Sequence, residues 1–142
     1  MDVTVRGAGI LGLSIAWACI LRGAKVQVVD PNGIGSWSSG GIVGALAPHV
    51  PENWNTKKEF QFKSLVAAET FWRGVEEVAG RSSGYARLGR IQPIPDAHSL
   101  ELAHVRGKKA KTLWKGLAQW RVIKSPPNFV PPSPTGYWIK DT

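Results

Sequence analysis

Apolar and polar positions fall into a strand–helix–strand order at the start of the chain. Val3 and Val5 alternate with polar neighbours, the period of a half-buried strand. Leu13 to Leu21 is an apolar run of helical length, and Val26 to Val29 is a second apolar strand, ending in Asp30-Pro31. Beyond a loop over residues 51–56, Lys57 to Val78 reads as an amphipathic helix. Phe60, Leu65, Ala68, Phe71, Trp72, Val75 and Val78 recur there at helical spacing, and Gly80 is a stop signal. That stripe is expected to face a core. Tyr85 to Ile94 has strand character, bounded by Pro93 and Pro95. Asp96 is a candidate N-cap for a helix running to Leu117. Trp120 to Ile123 predicts a short strand, and Tyr137-Trp138-Ile139 starts one more. Ser125 to Thr135 between them holds five of the ten prolines, which forbids regular structure.

Gly7-Ala8-Gly9-Ile10-Leu11-Gly12 joins the first strand to the first helix. Strand, GxGxxG, helix, strand and terminal acid together form the dinucleotide-binding βαβ signature. Gly7 permits a tight turn, Gly9 lets the backbone approach a pyrophosphate, and Gly12 lets the helix pack close to the strand. The helix N-terminus offers unpaired N–H groups and a positive dipole end to phosphates. Asp30 lies 23 positions after Gly7, placed to accept hydrogen bonds from a ribose diol. A glycine- and serine-rich segment, Asn32 to Gly44, follows. It is either a short linker or a place where small residues let backbone approach a ligand.

The 142 residues are enough for one domain and a real core. The net charge of +8 fits a solvated basic surface, or an anionic partner such as a dinucleotide, an acidic substrate or RNA. Lys108, Lys109, Lys111 and Lys115 read first as a solvated helix face. The single cysteine, Cys19, implies no internal disulfide and is expected to be a small buried hydrophobe. The apolar stretch from Ala8 to Leu21 is too short to span a membrane, and Asp2 is acidic where a signal peptide carries positive charge. A cytoplasmic protein with no membrane partner is expected. No Cys/His spacing suggests a metal.

The glycine motif, Asp30 and the run Ser38-Ser39-Gly40-Gly41-Ile42-Val43-Gly44-Ala45-Leu46-Ala47-Pro48 together resemble the D-amino-acid oxidase and glycine oxidase family of FAD-dependent oxidoreductases. Leu88-Gly89-Arg90-Ile91 also fits the family's order. The glycine motif is shared by all Rossmann proteins; the second run is specific. The resemblance implies an α/β, Rossmann-like FAD-binding fold, here the front part of a larger two-domain flavoprotein. Residues 1–84 would belong to the FAD-binding domain and 85–142 would begin a substrate domain. A Rossmann sheet needs more parallel strands than the two visible here.

Carried over by resemblance, Gly7, Gly9, Ile10, Leu11 and Gly12 would line the pyrophosphate. Asp30, followed by Pro31, would hold the adenosine ribose. Ser38, Ser39 and Gly40 would bond the phosphates or ribityl chain. Gly44, Ala45 and Leu46 would run beside the flavin ring, where backbone amides tune its potential. No histidine lies in the glycine- and serine-rich segment, so noncovalent FAD is expected. Arg6, where an apolar residue is usual, is either tolerated at the surface or alters phosphate electrostatics. The family's reaction moves a hydride from an amine substrate to flavin, giving an imine that water hydrolyses. The cofactor carries that chemistry, so no catalytic residue is assigned from this sequence. His49 is the one titratable candidate beside the flavin segment, or else a structural histidine.

Three other readings stay open. Ser39-Gly40, Gly44-Ala45-Leu46 and Pro48 are also similar to the FAD domain of the bifunctional enzymes that modify wobble uridine in tRNA, and the lysines would suit RNA phosphates. A non-enzymatic module is the second: a truncated product, or a subunit completed by another chain or by a homo-oligomer. The third is NAD in place of FAD, since Asp30 would accept that ribose too.

Overall fold

The computed structural model describes residues 1–42 and 44–142, which form two compact units, Met1–Ala45 and Leu46–Thr142. Val43, part of the run that carries the resemblance, lies outside the described residues.

The first unit is a βαβ element. Strand β1 (Val3–Arg6) and strand β2 (Val26–Val29) pair in parallel, with Val3 opposite Val26 and Arg6 opposite Val29. Parallel strands need a crossover, and helix α1 (Ile10–Ile20) supplies it. Asp2 ties the strand starts together: its carboxylate accepts from Lys25 N–H at 2.8 Å, and its own N–H donates to Lys25 O. The helix starts three residues earlier than the apolar run suggests, because the glycine turn itself enters it. Val5, Ala8 and Ala16 are buried, Cys19 is half-buried, and Ile15, Ile20 and Leu21 face outward. Cys19 is thus less enclosed than its residue type suggests; within this unit α1 packs on β1 and β2.

The second unit holds helix α2 (Thr56–Ala79), strand β3 (Arg90–Pro93), helix α3 (Ala97–Leu113), strand β4 (Trp120–Ile123) and strand β5 (Trp138–Asp141). The strands form an antiparallel sheet in the order β3-β5-β4. Both helices start at the side chains that favour it. Asn55 accepts from Lys58 N–H, and Asp96 accepts from Ser99 N–H at 2.7 Å. Gly80 ends α2 at φ +64°, the left-handed cap that glycine takes without a Cβ clash. Lys115 and Gly116, both at positive φ, follow α3, which therefore stops at Leu113 rather than Leu117. The strand expected from Tyr85 forms only from Arg90, directly after Gly89 at positive φ.

The core of this unit is aromatic. Phe62 stacks on Trp114 at 5.9 Å and 10°, Trp114 leans on Trp120 at 6.3 Å, and Trp54 meets Phe62 edge-on at 6.1 Å. Leu65, Ala68, Phe71, Trp72 and Val75 of the expected stripe are half-buried, but Phe60 and Val78 are 74% and 70% exposed, and Phe62 is the buried member of α2. This stack packs α2 with α3 and β4. Trp120 Nε1 donates to Ala103 O at 2.9 Å, and a Cβ on Gly107 would stand 3.3 Å from the Trp120 ring, so α3 lies close over β4.

Polar contacts fix the margins. Ser133 and Thr135 hydroxyls both donate to Ile94 O at 2.8 Å, which anchors the proline-rich stretch to the residue after β3. Arg106 grips Glu52 with two bonds, 3.0 and 2.7 Å, and its guanidinium holds that carboxyl below the usual carboxylate range. Arg90 pairs with the buried Asp141 directly across the β3–β5 ladder. No helix among the described residues is long and apolar enough to cross a membrane.

Candidate functional site

The first unit brings most of the sequence-selected residues together at one end of its two strands. Gly7 turns at φ +108°, where L side chains are rarely found, and its N–H still reaches Val29 O at 2.8 Å. A Cβ on Gly12 would lie 2.0 Å from Gly7 O and 3.4 Å from Val5 Cγ1, so the helix touches the turn backbone to backbone. A Cβ on Gly9 would stand 3.0 Å from Ser39 Oγ. All three glycines therefore have a steric reason in the protein itself, before any ligand is considered.

Asp30 does more than end β2. One carboxylate oxygen accepts from Ala8 N–H at 2.8 Å and the other from Asn32 N–H at 2.8 Å. It links the glycine turn to the following loop. A carboxylate offers about four lone-pair positions, so capacity remains for a ribose diol. The bond from Ala8, then that from Asn32, holds its pKa below the usual aspartate value. An unfolded aspartate titrates near about 3.9. The sign follows: a depressed acid stabilises the fold fully above that value and loses the contribution as pH falls through its lower folded value. Asp30→Asn should therefore lower the melting temperature at neutral pH, with the difference from the parent chain closing in strong acid. A thermal scan from neutral to strongly acidic pH checks it.

The glycine- and serine-rich segment folds back over the turn. Gly35 N–H donates to Ala8 O at 2.9 Å. Ser39, in a short 3-10 turn over Trp37–Gly40, accepts from Ile10 N–H at 2.9 Å. Ser39 thus occupies the first helical donor of α1, while Leu11 and Gly12 N–H have no acceptor among the described residues. A Cβ on Gly40 would stand 2.8 Å from Gly35 O, so Gly40 is needed to close the loop. Pro31 and Ser38 are exposed beside these contacts, and Arg6 is exposed at the end of β1. Gly44 and Ala45 end the first unit and Leu46 begins the second; all three are exposed.

Sequence reasoning missed two features here. It did not foresee that Ser39 would face the α1 N-terminus, because a contact between residues 29 positions apart leaves no local pattern. Nor did it single out Trp37, 80% exposed at φ +62°, a conformation uncommon for a bulky residue. His49 offers its backbone N–H to Gln61 Oε1 and is exposed. Among the described residues no group of three or more His, Cys, Asp or Glu side chains could hold a metal ion.

The family model for FAD dependent oxidoreductases, DAO, matches residues 2–133. The chain belongs to this FAD-dependent oxidoreductase family. Over 114 residues, 78% of its length, it is 24% identical to the tRNA 5-methylaminomethyl-2-thiouridine biosynthesis bifunctional protein MnmC of Hydrogenovibrio crunogenus. The matched part spans 17% of that protein. No solved structure matches the chain. An α/β unit with a parallel strand pair is what an FAD-dependent oxidoreductase of this family is expected to begin with, and β1-α1-β2 has that form.

Proposed function

We propose that this chain holds FAD noncovalently on its first unit and takes part in flavin-dependent oxidation of a C–N bond in an amino acid or related amine. The observation that carries the proposal is the cradle at the α1 N-terminus. Gly12 admits no Cβ, and free N–H groups and an ionised Asp30 stand at its two sides. Those groups suit the two ends of one dinucleotide half. N–H groups and the helix dipole face a pyrophosphate, and the carboxylate faces a ribose diol. Bound flavin would supply the hydride acceptor. The protein's part is to bind and orient. Gly7, Gly9, Ile10, Leu11 and Gly12 would present backbone to the phosphates. Ser39 would exchange its bond from Ile10 for one to a phosphate oxygen, with Ser38 and Gly40 beside it. Asp30 and Pro31 would set the adenosine end, and Gly44, Ala45 and Leu46 the flavin end.

The test is the visible spectrum of the full chain after incubation with FAD and removal of free ligand. Retained flavin bands support the cradle, and bleaching of those bands by an amine would identify the substrate. A colourless protein would sink the proposal for this chain alone and turn attention to a partner chain. Asp30→Asn should weaken FAD retention about tenfold, the scale of one charge-assisted hydrogen bond.

A second reading has its own support. The matched MnmC protein is named for biosynthesis of a modified tRNA uridine. On this reading the amine oxidised is a substituent on tRNA, and the basic balance of the chain serves RNA phosphates.

A further inference from the structure

The positive charge is unevenly spread. From 102 to 140 the chain carries eight Lys and Arg residues and no Asp or Glu. Within that stretch, α3 places three exposed positions on one face, and the turn after it adds a fourth. His104, Lys108 and Lys111 stand at spacings of four and three, Lys115 follows just past the helix end, and Ala103 and Ala110 on a neighbouring face are buried. None of these three lysines has a carboxylate in salt-bridge range among the described residues. Lys109, one position round the helix from Lys108, lies off this face. Glu101 lies on the same face, one turn before His104. The helix dipole accounts for cations in the last turn only, and Lys108 lies above it. Neighbouring lysines on a helix face repel one another, so the stripe costs the fold something unless it meets an anion.

Two observations at the lower end of the stripe say what kind of anion. Lys115 sits at φ +50°, a left-handed conformation that glycine or asparagine would hold at less cost. A groove of about 240 Å³ opens beside it, floored by Phe62, Val66, Leu113 and Leu117, with Lys63 and Lys115 on its rim. Glu59 also reaches the rim, where its carboxylate is bonded by Trp54 Nε1 at 2.8 Å and by Lys63, with Lys115 acting on it only at longer range. A row of cations without salt bridges among the described residues, leading to an apolar slot, fits a chain of phosphates with an unstacked base at one end.

We propose that Lys108, Lys111 and Lys115 bind successive phosphates of a single-stranded nucleic acid, and that the groove between α2 and the end of α3 receives one unpaired base. This rests on the second reading above and deepens it by naming the surface. It is tested without FAD, so its failure and the failure of the cofactor cradle are separate results.

The probe is an oligouridine, titrated against the full chain by fluorescence anisotropy at several salt concentrations. Each phosphate contact on a single strand contributes about 0.7 to the slope of log K against log salt. The triple variant Lys108→Gln, Lys111→Gln, Lys115→Gln should lower that slope by about 2 and raise Kd at low salt at least about tenfold. A control removing three cations elsewhere, Arg73→Gln, Arg81→Gln and Lys140→Gln, should keep the parent slope. Lys115→Gly should raise the melting temperature while weakening binding, a split that a purely structural lysine would not give. Leu117→Ser should weaken the single strand and leave a duplex unaffected. Equal loss in the control would overturn the proposal in favour of net charge alone. Tighter binding of duplex DNA, or of anionic phosphatidylserine vesicles with the same lysine dependence, would overturn it as well.

Discussion

Gly12→Ala should abolish flavin retention. The added methyl would sit 2.0 Å from Gly7 O and 3.0 Å from Gly7 C. Both are backbone atoms of a turn already at φ +108°, so no side chain can swing aside. The helix must lift off the turn, and the donors of Ile10, Leu11 and Gly12 move with it. Forcing extra volume into such a contact costs about 1–3 kcal/mol, sometimes more. A unit as small as Met1–Ala45 has little stability in reserve. The expected result is a colourless protein under conditions where the parent chain is yellow, with FAD affinity down at least about a hundredfold, the equivalent of about 2.7 kcal/mol. The aromatic near-ultraviolet signal of Trp54, Trp114, Trp120 and Trp138 should survive, since all four lie in the second unit. Gly44→Ala is the matched control. A Cβ there meets nothing within 4 Å, so the variant should keep its flavin if Gly44 serves the ring only through its backbone. A Gly12→Ala chain that stays yellow would remove the steric basis of the cradle.

That the turn was legible in the sequence and the burial of Phe62 rather than Phe60 was not has one cause, the range of the interactions involved. Gly7, Gly12 and Asp30 act on neighbours within one βαβ element, so their spacing already encodes the contacts. The N-caps Asn55 and Asp96 act over three residues, and Asp96 could be read directly for the same reason. The face that α2 buries is decided by Trp114, more than fifty positions from Phe62. Phe60 and Phe62 are equally apolar, and local periodicity cannot choose between them. Ser39 reaching Ile10 is the same kind of event inside the site. Other deviations came from backbone geometry. Gly89 shortens the expected strand, and Lys115-Gly116 shorten α3. Gly89 has a specific reason: its Cβ would stand 2.4 Å from Asp141 O, across the ladder at the far end of the chain. The contacts of the turn were thus readable where they are local, and those of the loop that folds back over it were not.

Trp114→Ala should be the most damaging single substitution in Leu46–Thr142. Trp114 is fully buried and touches both Phe62 and Trp120, so it joins α2 to α3 and β4. Truncating a buried tryptophan to alanine costs about 3–5 kcal/mol through lost burial and the cavity left behind. Whole domains are stable by only about 5–15 kcal/mol. Urea denaturation should show a midpoint far below the parent's, or an unfolded second unit at room temperature. Trp114→Phe separates the two roles of the side chain. It keeps a ring against Phe62 and removes Nε1, the buried donor that has no partner among the described residues. An unsatisfied buried donor costs about 1–3 kcal/mol, which offsets much of the lost volume. Trp114→Phe should therefore lie within about 1 kcal/mol of the parent, a gap of at least about 2 kcal/mol from Trp114→Ala. If Trp114→Phe proves nearly as damaging as alanine, the indole N–H is bonded in solution and the core holds an ordered water there. Phe62→Ala would then report on the stack by itself: it removes the facing ring, leaves Nε1 in place, and should cost about 3–5 kcal/mol whichever way the indole is satisfied.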